Sequence, residues 1–585
     1  MSHPMNRFNA SALCLLLVAG CGGSGKTTAG GGAPLGADAT FISGARLVLG
    51  DGSAPIENAT MILNEGKIVQ IGKEKELKAP KSSLALDLEG RTIIPMLVNL
   101  NAYPGLSNAG EFGARNYNRE SLTSDLIRYA YYGVTAVVAG GDSDGLALQV
   151  RDEQKQGKAP GAQLHSSGRG IAAKGGSDFL GSIPIRVGSE GEAQKAVAEL
   201  ADRKADAIVL WTDGMQAAIS LAVIDEAHKR KLKVFVDAPN LSEAKDAVKA
   251  GADALIGSVR DREVDDEIIS LLKEKKVSLA PALSSLEARF IYTEKVGWLG
   301  EPAMREVYPS QLLSYLTSEV VVNKMRRNPE TASFKQQFGI ASRNLKKLAD
   351  AGVTISFGSG SGLPDTFPGY FEHRELELMV MAGLSPMDVI KAATASSAEA
   401  LGAADLGTLA AGKKANFMIL TDNPLDKITN TKGIDAVFID GKQVDRVELK
   451  RNIKVIIPEI TQAAKIEERN AQIQEQTKAI EDKMQHFGNG KFVLAAEALR
   501  VTTGLTLQTP RRSKATVSAG PPIRVSVTFG GAAGADLRAF YAETLKAWTV
   551  AGNCWEKAVP GEESRKFRVC PEPSAGQIIL NITVQ

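Results

Sequence analysis

Histidine is scarce in this chain: five in 585 residues, His3, His165, His228, His373 and His486. A centre built on several imidazoles, the commonest side-chain ligands of transition metals, therefore has few residues to draw on. Cysteine is scarcer, and the four present, Cys14, Cys21, Cys554 and Cys570, allow at most two bridges. Charge of one sign is missing too. Sixty-nine Lys and Arg against 67 Asp and Glu leave a net charge of +2, without the basic excess that nucleic-acid binding requires, so no nucleic-acid partner is expected. The N-terminal apolar run, Ala12 to Ala19, is too short to span a bilayer.

What is present begins with that run. It follows Arg7, has the length of an export-signal core, and closes on Val18-Ala19-Gly20-Cys21, which resembles the cleavage box of bacterial lipoproteins. The resemblance implies that residues 1–20 are a signal peptide, that Cys21 carries lipid, and that residues 21–39 are a flexible linker. The protein is then held in the cell envelope by its lipid anchor, with Gly22 favouring the periplasmic face of the outer membrane. Residues 20–27, GCGGSGKT, also match the phosphate-loop pattern. No buried strand precedes them and no helix pattern follows, so nucleotide binding is not expected there. With Cys14 removed and Cys21 lipidated, Cys554 and Cys570 remain, and export makes a disulfide between them the expected state. The alternative is two buried thiols. The residues between them, rich in Pro, Gly and charge, read as a surface loop.

The length implies two to four domains, and 44% hydrophobic with 23% charged residues is the composition of a globular protein. Residues 41–72 read as short strands separated by turns, and a matching strand-rich stretch runs from Gly407 to Val444. Between them apolar runs alternate with amphipathic helices, and candidate strands end near Asn101, Ala139, Ser167, Trp211, Asp237, Gly257, Leu283 and Ser359. Eight strand–helix units predict an α/β fold, a (β/α)8 TIM barrel over 93–404, in preference to an open doubly wound sheet. Residues 40–92 and 405–447 are expected to form a composite β-sandwich. A long helix over 455–488 carries Ile466, Ile473, Ile480 and Phe487 at seven-residue spacing, a stripe for packing on a neighbouring domain or for a dimerising coiled coil. Residues 489–585 read as a small α+β domain, with strands around Val525–Phe529 and Ile578–Val584 flanking a helix from Asp536 to Val550.

Several segments carry a family resemblance in order. ELELMVMAGLSPMDVIKAAT at 375–394, ALG at 400–402, LGTLAAGKKAN at 406–416 and NPL at 423–425 resemble the C-terminal half of the amidohydrolase superfamily, on its imidazolonepropionase-like branch. The N-terminal strands and IIPMLVN resemble the other half, so the resemblance covers residues 40–447. It implies a barrel with one or two divalent metals, held by two histidines after strand 1, a carboxylated lysine on strand 4, histidines on strands 5 and 6 and an aspartate on strand 8. Such a centre lowers the pKa of a bound water toward ~7. In this chain the strand 1 histidines fall on Asn101 and Tyr103 in PMLVNLNAY, the lysine on Val209 in ADAIVLW, and the strand 5 histidine on Asp237 in VFVDAP. The strand 6 histidine falls on Gly257 in ADALIGS and the aspartate on Gly360 in FGSGSG. None of the implied ligands is present, so no catalytic residue, resident metal or other cofactor is expected.

Alternation places Asn99, Asn101 and Tyr103 on one face of a strand end. With Asp237 and with His373, which opens a helix in FEHRELEL, they form the candidate residual pocket. Asp237 with Asp142, Asp178 or Asp213 offers an oxygen-only site for a hard ion such as calcium, against the plainer reading of solvated loop carboxylates. The reading that follows is an amidohydrolase-fold lipoprotein, catalytically inactive, acting as an envelope binding or scaffold protein for a small polar ligand. One alternative is an active hydrolase of C–N (non-peptide) or related bonds, with a non-standard site and a divalent metal such as zinc. Another is a non-catalytic subunit in complex with an active relative, or a homo-oligomer.

Overall fold

The computed structural model describes residues 39–453, apart from 82, 109–110, 143–144, 177–179 and 295, and the strands between 514 and 584. The signal, Cys21, the linker up to residue 38 and the 455–488 helix lie outside the described residues.

Five strands open the chain: β1 Thr40–Leu47, β2 Ile56–Asn64, β3 Lys67–Gly72, β4 Leu84–Asp87 and β5 Thr92–Pro95. They pair with three strands from far downstream, β17 Phe417–Leu420, β18 Ile434–Ile439 and β19 Lys442–Gln443, in the order β19-β18-β17-β5-β1-β2-β3, with β4 beside β1. The two chain segments thus combine, in one eight-stranded sheet and not in two hydrogen-bonded layers. Its alternating residues bury a core of their own that includes Leu47, Met61, Ile93, Phe417 and Phe438, with Phe417 and Phe438 stacked at 4.7 Å.

The middle of the chain supplies parallel strands: β6 Leu97–Ala102, β9 Val134–Ala139, β10 Gln163–Ser166, β11 Ile171–Ala173, β12 Ile185–Val187, β13 Ala207–Trp211, β14 Lys233–Asp237, β15 Ala254–Ile256 and β16 Ser278–Ala280. A two-residue ribbon, β7 Ser107–Asn108 with β8 Glu111–Phe112, lies between β6 and β9 in sequence. The runs are apolar on both sides because helices cover one face and a packed core the other. Two ladders result, β10-β9-β6 and β12-β11-β13-β14-β15-β16.

Seven of the eight expected strands are present; Asn101, Ala139, Trp211 and Asp237 lie on theirs, and Ser167 and Gly257 directly follow theirs. The seventh stops at Ala280, before Leu283, because Pro281 has no N–H for a ladder and Ala282 adopts φ 53°, which turns the chain into the helix Leu283–Glu287. The eighth, ending at Ser359, is no regular strand. Residues 353–361 make only the bridges Leu279↔Ile355 and Ala102↔Ser361, since beyond Phe357 the segment is serine and glycine, and Gly360 and Gly362 have φ 68° and 90°. It still runs between β16 and β6: Ser356 N donates to Leu279 O at 2.9 Å, and Leu100 N to Phe357 O at 2.9 Å.

The C-terminal strands are β20 Lys514–Gly520, β21 Arg524–Gly530, β22 Thr549–Ala551, β23 Cys554–Val559, β24 Glu562–Ser574 and β25 Gln577–Val584. They form one antiparallel sheet in the order β20-β21-β25-β24-β23-β22. The expected helix over 536–550 is corrected at its end: Thr549 and Val550, both β-branched, are strand, while 536–548 lie outside the described residues. The expected surface loop between the cysteines is mostly hairpin, because Trp555, Val559, Phe567 and Val569 are strand formers; Trp555 pairs with Val569.

The parallel ladders and the eight-stranded sheet meet at Gly133, which precedes β9 with φ 77°. A Cβ there would lie 1.8 Å from Sδ of the fully buried Met418. Gly133→Ala combines a left-handed backbone with overpacking and is expected to destabilise by about 3 kcal/mol. Denaturant unfolding checks this; a loss below about 1 kcal/mol would show that the contact yields freely.

Candidate functional site

The residues at the ends of the parallel strands divide into two groups. Asn99 faces inward, fully buried. Its Nδ2 donates to Glu372 Oε1 at 2.7 Å and to Ser359 Oγ at 2.9 Å, and its Oδ1 accepts from Asn101 N. His373 is equally buried, with Nδ1 against Thr431 Oγ1 at 3.0 Å and Nε2 against Tyr132 O at 2.9 Å. Neither lines the cavity described next, so the expected residual pocket loses both. Asn99 is consumed by the adjacent helix, and His373 points from that helix, Tyr370–Met381, to the opposite side.

Asn101, Tyr103 and Asp237 do come together. Asn101 Nδ2 donates to Ile256 O at 2.9 Å, and Tyr103 Oη accepts from Trp211 Nε1 at 3.1 Å. They line a cavity of about 150 Å³. Trp211, Asp237, Arg260 and Arg289 border it and also an adjoining cavity of about 450 Å³. Asp237, the last residue of β14, has Oδ1 3.6 Å from Arg260 Nη1, and Oδ1 makes no hydrogen bond. The same oxygen lies 2.5 Å from where a Cβ on Gly257 would stand. Val209 is buried in β13, and Gly360 brings its backbone against Ser285.

Electrostatics follow from burial. Asp237 is raised above the usual carboxylate range by burial, with Arg260 opposing. Burial raises Tyr103, helped by the charge of Asp237, so its phenol stays protonated. Burial lowers the guanidinium of Arg289; Asp365 opposes this and the like charge of Arg260 adds to it. Burial pushes Asp365 itself up to about 6 against the pull of Arg289.

The donors decide whether the metal implied by the resemblance fits. Val209, Gly257 and Gly360 have no donor side chain, the Asn101 amide is bonded to backbone, and Tyr103 keeps its proton. The sole carboxylate, Asp237, faces a guanidinium. Among the described residues no group of three or more His, Cys, Asp or Glu is placed to hold a metal ion. These residues do not fit a catalytic divalent centre. The oxygen-only site fares no better: Asp213 and Asp237 share a cavity, but with three arginines, Arg186, Arg260 and Arg289. Asp142 is buried against Tyr117, and Asp178 lies outside the described residues.

Sequence reasoning missed the arginines. Arg260 was visible, three residues past Gly257 in GSVRDRE, but motif positions direct attention to where ligands are lost and not to what has entered.

The comparisons with known proteins bear on this geometry. Residues 212–444 match the model of the Amidohydrolase family and constitute an amidohydrolase family domain. The imidazolonepropionase of Deinococcus radiodurans is 30% identical over 110 residues, covering 18% of this chain and 27% of that protein. That of Deinococcus deserti is 31% identical over 100 residues, 17% of this chain and 25% of that protein. The chain thus spans about a quarter of the length of the curated relatives it matches. Among solved structures, a Xaa-Pro dipeptidase with bound methionine aligns at TM-score 0.57 and 22% identity, over 70% of this chain and 100% of that one. The A. niger ochratoxinase aligns at 0.55 and 19%, over 69% and 95%. At such identities the likeness is one of fold.

His373 gives the site's neighbourhood a pH signature. Burial lowers its pKa to about 4, against 6.5 for an exposed imidazole, so the folded state holds it neutral. The unfolded chain binds the proton first, and stability present above pH 6.5 is lost as pH falls toward 4. The difference corresponds to about 3 kcal/mol. Relative to wild type, His373→Gln is expected to lose less stability between those values. Parallel pH curves for the two proteins in denaturant titrations would refute this.

Proposed function

We propose that this protein is an amidohydrolase-fold envelope lipoprotein that binds a small polar ligand without hydrolysing it. The observation that carries the reading is the pairing of Asp237 with Arg260 over Gly257: a fixed side-chain cation stands beside the one carboxylate left among the implied ligand positions. Metal-water activation acts as a unit, and removing its parts together leaves little of it. The same reading takes the parallel ladders as one closed (β/α)8 barrel. Asp206 N donates to Ser166 O at 2.8 Å between β10 and β13, and residues 353–361 bridge β16 to β6, which supports closure.

The purified protein is expected to hold less than stoichiometric divalent metal after dialysis, and EDTA is expected to leave its melting temperature unchanged. Elemental analysis with assays on simple amides, lactones and dipeptides tests this. One zinc or more per chain with EDTA-sensitive turnover would sink the reading in favour of an active hydrolase.

The anchor rests on the sequence around Cys21. No helix among the described residues is long and apolar enough to cross a membrane. Lipoprotein modification supplies more than one acyl chain, enough for stable attachment. The disulfide gains support from register: Trp555 pairs with Val569 in antiparallel strands, so one step outward the facing positions are Cys554 and Cys570. Cys21→Ser should leave the membrane pellet, and non-reduced peptide maps of pelleted wild type should show the Cys554 and Cys570 peptides linked. Equal pelleting of both forms would contradict the anchor, and free thiols at both positions the bridge.

A further inference from the structure

The stretch that leads from Cys21 joins the eight-stranded sheet beside an exposed apolar residue. Leu84, the first residue of β4, is 60% exposed, and its N donates to Ala39 O at 2.9 Å, so it stands next to the residue that precedes β1. Ala85 is exposed as well, and among the described residues β4 pairs with β1 alone.

Positive charge gathers at the same place. Residues 73–81 hold Lys73, Lys75, Lys78 and Lys81 against Glu74 and Glu76, all of them exposed. Both glutamates are engaged at the start of the stretch: Glu74 Oε1 lies 3.4 Å from Lys75 Nζ, and Glu76 Oε2 accepts from Lys73 N at 2.7 Å. Lys78 and Lys81 follow, and neither makes an ion pair among the described residues. Ser83 N and Oγ donate to Pro80 O at 3.1 and 2.9 Å, closing a turn that holds Lys81 just before Leu84. The next carboxylates along the chain are Asp87 and Glu89. Asp87 lies opposite Ser43, about 10 Å up the strand from Leu84.

Two free ammonium groups beside an exposed leucine, at the root of a lipid tether, complement an anionic bilayer. Its phosphates take the lysines, and the boundary between headgroups and acyl chains takes the apolar side chain. Residues 22–38 reach no more than about 60 Å even fully extended, so a chain anchored at Cys21 stays near the bilayer and weak contacts become effective. We propose that Lys78, Lys81, Leu84 and Ala85 form a docking surface for anionic phospholipid that seats the sheet on the membrane. The inference rests on the lipid-anchor reading above and goes beyond it, since an anchor by itself requires no second contact.

The mature chain carrying Cys21→Ser, which cannot take lipid at that position, separates this surface from the anchor. It is sedimented with vesicles of phosphatidylcholine alone and with vesicles that also contain phosphatidylglycerol, at low and at high salt. Partition is expected to favour the anionic vesicles and to fall as salt rises. Lys78→Gln with Lys81→Gln is expected to weaken it roughly tenfold or more, about fivefold for each lysine. Leu84→Gln keeps the charge and is expected to weaken it severalfold. Lys273→Gln with Lys275→Gln, exposed on the helix Asp266–Lys275, makes the same change in net charge and is expected to leave partition as it is. All these substitutions are of exposed residues, and an unchanged melting temperature checks that folding is intact. Equal partition to both kinds of vesicle, or an equal loss from the two lysine pairs, overturns the inference. An anchored wild type whose lipid-free form ignores anionic lipid keeps the anchor and loses the docking surface. A wild type that stays out of the membrane pellet, while its lipid-free form follows the expected pattern, loses the anchor and keeps the surface.

Discussion

The buried carboxylate of Glu372 is the constraint on which the site's architecture depends. It has no solvent exposure, and a carboxylate taken out of water costs several kcal/mol unless donors replace the water. Four do: Asn99 Nδ2, Ser359 Oγ and Ser361 Oγ at 2.5–2.7 Å, and Gly369 N at 2.7 Å. They come from β6, from the irregular segment after Phe357, and from the start of the carboxylate's own helix. A segment with only two bridges to its neighbours is thereby fixed by side chains where a backbone ladder is missing. One turn on, Glu375 does the same for the end of β16, accepting from Leu283 N and Ser284 N at 2.8 and 2.6 Å, with burial raising its pKa to about 8. One helix face clamps two strand ends that cannot clamp themselves.

That clamp decides which polar groups reach the cavity. Asn99 is spent on Glu372, which leaves Asn101 and Tyr103 to face Asp237. The cavity's own charges then fit one another closely. Asp237 Oδ1 occupies the space that any side chain at 257 would need, so a histidine restored there would collide with the carboxylate unless β14 shifted. Arg260 in turn needs Asp237 as its counter-charge. The residues at 237, 257 and 260 are thus mutually consistent, and replacing one alone loses a packed arrangement.

Much of the fold was legible because it rests on local pattern. Both-sided apolar runs marked seven parallel strands, and alternation between Gly and Asp turns marked β1 to β3 with their partners downstream. The eighth segment was misread because FGSGSG continues an apolar run in sequence while its glycines leave the strand region. In the site, alternation correctly placed Asn99, Asn101 and Tyr103 on one face. It could not show that a carboxylate 273 residues further on claims Asn99 and spares the other two. His373 was misplaced for a related reason: a helix opening near a strand end does not say which way its fourth residue turns.

Where the family resemblance implies a metal, the cavity at the strand ends has Arg260 and Arg289 on its wall. A divalent ion is a central charge with a coordination position open to water, and that opening is what brings bound water's pKa toward ~7. Arg260 and Arg289 are cations fixed on the wall. A guanidinium holds its charge to pH values above ~12 and has five donors, but it offers water no coordination position and no base to take its proton. It can orient an anion and neutralise it. It cannot make hydroxide from water near neutrality, and the phenol of Tyr103 keeps its own proton. Asp237, the one carboxylate among the implied ligand positions, has its charge answered by Arg260 at 3.6 Å. On the non-catalytic reading proposed above, these strand ends therefore keep what a metal gives to binding, a fixed positive charge, without what it gives to water.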